Sequence, residues 1–186
     1  MKSTERGTTL LTMARASIAK ALGLPIAAVE MPDWLNEPGA CFVTLTQKGQ
    51  LRGCIGSLQA HRSLGEDVRA NAVSAALHDP RFTPLKAEEL DRTQVEMSLL
   101  SPMESLEFGS EAQALAQLRP LVDGIVLQYG AHRATFLPQV WEQLPTVHEF
   151  IGQLKRKAGL PENFWADGMR LQRYTVEKWK EDGLAP

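Results

Sequence analysis

Cysteine is scarce in this chain: 2 in 186 residues. That is too few for the disulfide frameworks that hold small secreted domains together. A surplus of either charge is also missing. The 20 Lys+Arg against 22 Asp+Glu leave a net of −2, whereas a nucleic-acid binder usually carries a basic excess. Long apolar runs are absent, and no stretch approaches the roughly 18 residues of a membrane span. Near the N-terminus, Leu10-Leu11 and Ala14-Arg15-Ala16 imitate parts of a secretory signal. Glu5, Arg6 and Arg15 interrupt the apolar region such a signal needs. A cytoplasmic protein with reduced thiols, no membrane and no nucleic-acid partner is therefore the expectation. His61, His78, His132 and His148 show no H-x-H, H-x-x-x-H or C-x-x-C spacing, so no metal site is expected. Phosphate loops, dinucleotide fingerprints, G-x-S-x-G elbows and internal repeats are missing too.

What remains is ordinary globular material, 44% hydrophobic and 23% charged, in a length that suits one compact domain. Residues 8–22 carry Leu10, Leu11, Ala14, Ile18, Ala21 and Leu22 at helical spacing, with Thr8 or Thr9 as cap and Gly23 beyond the end. Residues 41–47 and 50–56 read as a hairpin about Lys48-Gly49. Ser63-Leu64-Gly65-Glu66 is a capping box opening a helix that Pro80 must stop. A strand over 93–100, a short helix over 111–118 and a second hairpin about Gly130-Ala131-His132 follow. Thr146-Val147-His148-Glu149 opens another helix, ended by Gly159, and 170–176 reads as a last strand before a charged tail. Strands that come as hairpins, mixed with helices, indicate an α+β fold with mainly antiparallel sheet.

The segment that stands out chemically is Leu51-Arg52-Gly53-Cys54-Ile55-Gly56. Two glycines in a strand mark a bulge or a close backbone approach. A two-residue turn at Lys48-Gly49 with uniform register sets Val43 opposite Cys54 and Cys41 opposite Gly56. Arg52 and Cys54 then share a face, roughly 7 Å apart, where a guanidinium could stabilise a thiolate. The same register puts Cys41 diagonal to Cys54, an expectation of contact between the two thiols. A bulge at either glycine would turn Cys54 to the other face. Two readings stay open for Cys54: a reactive or ligand-contacting thiol, or a small residue buried in tight packing. The turn Asp79-Pro80-Arg81-Phe82 likewise reads either as a fixed ionic binding pair or as a helix terminator with a structural ion pair. Gly53–Gly56 matches the bare G-x-x-G of an RNA-binding loop, but its strand context and lack of flanking lysines make this chance. Glu88, Glu89 and Asp91 read as the acidic start of a helix or loop, and the tryptophans as core or seam residues.

These segments resemble the AMMECR-domain family, called AmmeMemoRadiSam system protein A in microbes. Leu51–Gly56 reproduces the family's six-residue signature. The resemblance continues through Ala75-Ala76, Asp79–Leu85, Glu96–Ser101 and Gly124–Leu127. It extends to Arg133–Val140 and Lys157–Leu160, and so covers nearly the whole chain in order. It implies one α+β domain over residues 1–186, with antiparallel sheet, flanking helices and a smaller sub-domain within about 103–145 that forms a cleft. The family's biochemical role is unsettled, and no cofactor follows from it. Its name implies association with a Memo-like protein and a radical-SAM protein. Carried onto this sequence, the signature makes Cys54 the candidate nucleophile and Arg52 its partner. Gly53, Gly56, Asp79, Arg81 and Phe82 become candidate contacts of a small-molecule ligand. An enzyme or an enzyme's accessory subunit is the first expectation. The alternative is a non-enzymatic module that docks onto those partners.

Overall fold

The computed structural model describes residues 3–181. The fold is α+β, with two four-stranded antiparallel sheets. It divides into two compact units: residues up to Leu100 together with those from Glu177, and Ser101–Val176.

In the first unit α1 (Ser3–Ala21) is followed by the hairpin β1 (Cys41–Gln47) and β2 (Gln50–Gly56), then α2 (Leu64–Leu77) and β3 (Gln94–Leu100). A returning strand, β8 (Val176–Lys180), completes a sheet ordered β2-β1-β3-β8. The hairpin turn forms as the sequence predicts, with φ of 49° at Lys48 and 76° at Gly49, the geometry of a tight two-residue connection. The capping box at Ser63 is also formed. Leu10, Ile18, Val68, Ala72, Val43, Leu45, Val95 and Met97 make the core between the helices and one face of the sheet.

α1 starts earlier than periodicity implied. Thr8 and Thr9 do not cap it; their hydroxyls donate back to the carbonyls of Thr4 and Glu5, each at 3.0 Å. Such back-bonding lets threonine sit inside a helix. The charged segment after residue 176 forms strand β8 instead of a tail, and its last residues lie outside the described range.

The second unit carries β4 (Glu104–Ser105), α3 (Glu111–Ala116), the hairpin β5 (Gly124–Tyr129) and β6 (His132–Phe136), α4 (Val147–Lys157) and β7 (Arg170–Tyr174). Its sheet runs β4-β7-β5-β6. Trp141 stacks on Phe150 at 3.7 Å between ring centres, at the heart of a core with Ile125, Leu127, Ile151 and Leu154.

The first hairpin departs from the uniform register at one point. Thr46 pairs with Leu51 but Leu45 pairs with Gly53, so Arg52 has no partner and is the extra residue of a β-bulge. Beyond it Thr44, not Val43, stands opposite Cys54, and Phe42, not Cys41, opposite Gly56. Cys41 shares the core face with Val43 and Leu45, while Cys54 shares the other face with Thr44. The expected contact between the thiols is therefore overturned: alternation puts them on opposite sides of the sheet, and both are free.

Gly53 faces α2, where a β-carbon would fall 2.1 Å from the carbonyl oxygen of Ala75. Gly53→Ala should destabilise the protein by about 2–3 kcal/mol through overpacking. Urea unfolding of the purified variant measures this, and an unchanged midpoint would contradict the close helix–strand approach.

Candidate functional site

β2 is an edge strand, and Cys54 lies on it where backbone N–H and C=O turn away from β1. Both groups are satisfied by one ion pair. The Cys54 N–H donates to Asp79 Oδ2 at 2.9 Å, and Arg81 Nη2 donates to the Cys54 carbonyl at 3.1 Å. Asp79 is 4% exposed. It also accepts the Arg81 backbone N–H at 3.1 Å, Arg81 Nε at 2.9 Å and Arg81 Nη2 at 2.7 Å. The pair imitates a neighbouring strand, one acceptor and one donor in the right places. Local sequence explains it: α2 stops at Leu77, Pro80 holds the next turn, and the Phe82 N–H closes on the Asp79 carbonyl at 3.1 Å.

These bonds set the charge of the site. The hydrogen bonds from Arg81 hold the Asp79 carboxyl well below the usual carboxylate range; burial opposes this, and the Cys54 and Arg81 N–H groups reinforce it. Arg81 in turn is raised above its ordinary value, first by Asp79. Its side chain remains 54% exposed and stacks 5.5 Å from the half-buried Phe82 ring.

Arg52 is placed elsewhere. Its Nε and Nη2 each lie 3.2 Å from the Glu89 carboxylate, and Nη1 donates to the Thr83 carbonyl at 2.9 Å. Burial disfavours ionised Glu89, but bonds from Arg52, the Lys86 N–H and Gln47 outweigh it and bring its pKa to about 2. The guanidinium beside Cys54 is that of Arg81.

The Cys54 thiol is half-buried and accepts a hydrogen bond from the Thr44 hydroxyl at 3.3 Å. Thr44 also pairs with Glu96 on β3, and Glu96 bonds Lys180 at 3.2 Å. Thiol, hydroxyl, carboxylate and ammonium thus form a row across the face that turns away from α1 and α2. Gly56 lies beneath Phe42, whose ring a β-carbon would meet at 2.2 Å. The backbone at both signature glycines is therefore occupied by the protein itself.

Cys41 is held by a parallel clasp. Its N–H donates to the fully buried Asp67 at 2.9 Å, and Asn71 donates to its carbonyl at 3.0 Å. Burial pushes the Cys41 thiol far up, and the charge of Asp67 adds to that. Sequence reasoning missed Thr44, Glu89, Glu96, Asp67 and Asn71. A usable signal existed for two of them: Asp67 and Asn71, four apart, fall on the same stripe as Leu64, Val68, Ala72 and Ala75.

Among the described residues no group of three or more His, Cys, Asp or Glu side chains is placed to hold a metal ion. None of their helices is long and apolar enough to cross a membrane. An apolar groove of about 880 Å³ lies between α1 and residues 24–29 in the same unit, but Cys54, Thr44 and Asp79 do not line it.

The sequence matches the AMMECR1 family profile over residues 11–179. The chain belongs to the AMMECR1 family. A relative in Methanothermobacter thermautotrophicus is 38% identical, with 97% of each chain covered. One in Methanocaldococcus jannaschii is 36% identical over 95% of this chain and 90% of its own. The crystal structure of an uncharacterized protein from Pyrococcus horikoshii superposes with a TM-score of 0.82 at 32% identity, covering 96% of this chain and 93% of the other.

The family assignment leaves the chemistry to the clasp, which gives a direct test. Asp79→Asn should cost about 2–3 kcal/mol at pH 7, the scale of hydrogen bonds to a charged group. Folded Asp79 and Glu89 both titrate below their unfolded values. Their stabilisation is thus full above about pH 5 and lost progressively towards pH 2. Chemical denaturation across that range should show a shallower acid slope for Asp79→Asn than for the parent protein.

Proposed function

We propose that this AMMECR1-family protein is an enzyme, or an enzyme's accessory subunit, that engages a small molecule at Cys54. The observation that carries this reading is a half-buried thiol fixed at its backbone on both sides, with a hydroxyl donor on its sulfur. The Thr44 hydroxyl orients the sulfur, and the Arg81 guanidinium lies beside the same residue. Arg81 spends Nε and Nη2 on Asp79 and Cys54, which leaves Nη1 without a partner among the described residues. That group suits an anionic oxygen of a ligand. Asp79 is the positioning residue of this arrangement, and Arg52, bound to Glu89, is the bulge residue that sets which face Cys54 occupies.

In the covalent version the Cys54 sulfur attacks an electrophilic carbon. A carbon–sulfur bond forms, the leaving group departs with its electron pair, and the thiol proton passes to solvent. A Memo-like protein and a radical-SAM protein, the partners implied by the resemblance, are where the substrate or product would be handled next.

Alkylation separates the two thiols. Iodoacetamide should label Cys54 in the folded protein and Cys41 only after denaturation, read by mass spectrometry of the peptides. In a mixture with the Memo-like and radical-SAM partners, Cys54→Ser should abolish turnover of the small molecule. A Cys54 inert until unfolding, or full turnover by Cys54→Ser, would defeat the proposal.

A further inference from the structure

A polar pocket of about 490 Å³ lies wholly within the second unit, a volume in the range of small-ligand sites. Its floor is one stripe of α4, where His148, Ile151, Gly152 and Lys155 follow one another at helical spacing. Glu111 and Leu115, one turn apart on α3, line it as well.

Lys155 is the unusual member. It is 2% exposed, and lysine is almost never buried so fully unless paired. Its ammonium sits 2.8 Å from Glu111 Oε1 and 5.4 Å from the centre of the Trp165 ring. An ammonium has three donors, and one hydrogen bond with one ring face does not use them all. Glu111 is 39% exposed at its side chain, and its second oxygen accepts no hydrogen bond among the described residues. The pocket thus offers an under-used cation and an under-used anion side by side.

The remaining charges decide what fits. Glu162 also lines the pocket and is paired with Arg156 at 3.0 Å. Gly152 makes room for it: a β-carbon there would meet Glu162 Cγ at 2.7 Å. With Lys155 and Arg156 against Glu111 and Glu162, the formal charges cancel. A simple anion would gain at Lys155 but face two carboxylates, and a simple cation would meet the reverse. A molecule whose own opposite charges are one carbon apart matches the Lys155–Glu111 pair group for group.

We propose that this pocket binds a small zwitterion of the α-amino-acid type, its carboxylate on Lys155 and its ammonium on Glu111. Leu115 and Ile151 supply the apolar wall for a short side chain. This site is independent of Cys54.

The test is a titration of the isotope-labelled full chain with glycine and with L-alanine, following amide shifts in nitrogen–proton correlation spectra. Acetate, methylamine and inorganic phosphate serve as single-charge probes. The amides of Gly152 and Lys155 should shift saturably with the amino acids, and at least about tenfold more weakly with each single-charge probe. Lys155→Met and Glu111→Gln should each weaken amino-acid binding by about tenfold or more, the loss of one charge-assisted hydrogen bond. Because Glu111 is partly solvated, its variant keeps the test decisive if Lys155→Met does not fold. Absence of saturable shifts with either amino acid overturns the proposal. So does acetate, methylamine or phosphate binding as tightly as the amino acids, or a folded variant binding them undiminished.

Discussion

The bond between the Cys54 N–H and the Asp79 carboxylate is the constraint on which the first unit turns. An edge strand carries unpaired N–H and C=O groups that invite another chain to pair with them. Here the carboxylate and guanidinium of a single turn answer both groups of one residue, so the edge is closed at the thiol. The clasp demands that helix α2 end at the right distance and that the next residues be rigid. Small residues achieve the first and Pro80 the second. Ala72, Ala75 and Ala76 bring the helix down onto β2 so closely that only glycine fits at position 53. That approach places Asp79 within reach of the very next N–H. Gly53, the alanines and Asp79 are parts of one device.

The same helix performs a second clasp near its start. Asp67 and Asn71 hold the backbone of Cys41, while Asp67 also accepts from Ser57 at 2.6 Å and Arg62 at 2.8 Å. With about 1.5 Å of rise per residue, α2 acts as a ruler that grips β1 at one end and β2 just past the other. Both cysteines are thereby fixed by backbone, yet they differ in surroundings. Cys41 sits in the core with its thiol driven up by burial, and Cys54 sits on the opposite face beside a hydroxyl and a guanidinium. Equal restraint and unequal environment separate a packing residue from a reactive candidate.

Local signals were legible in the sequence because local interactions produce them. The Lys48-Gly49 turn, the capping boxes at Ser63 and Thr146, the stop before Pro80 and the left-handed Gly159 all follow from chemistry within a few residues. The antiparallel character followed from the hairpins. The bulge at Arg52 was not legible, because it depends on which residue finds a partner across the strand and on Glu89, 37 residues away. One unpaired residue was enough to exchange the faces of Cys54 and its neighbours. Strand β8 was hidden for a related reason: Glu177, Lys178 and Lys180 read as a solvated tail, while pairing with β3 is a non-local event. The second pocket was not legible because a lysine in the last turn of a helix is ordinarily solvated, and only packing shows that Lys155 is buried.

The Asp79–Arg81 turn forms the ion pair that one of its two sequence readings expected, and its ligand-binding reading belongs to the proposed function. One half of the pair is structural: Asp79 has no exposure to give, and its oxygens are filled by protein donors. The other half is not spent, since Arg81 keeps an exposed guanidinium edge beside a half-buried thiol. A charge held by a buried partner costs little further ordering when a ligand arrives, because its rotamer is already chosen. In the proposed function, the same two side chains that close the sheet edge would present a cation to a small anionic group. A ligand that took Arg81 away from the Cys54 carbonyl would reopen the edge. The arrangement therefore favours a ligand that approaches Nη1 and leaves the clasp in place.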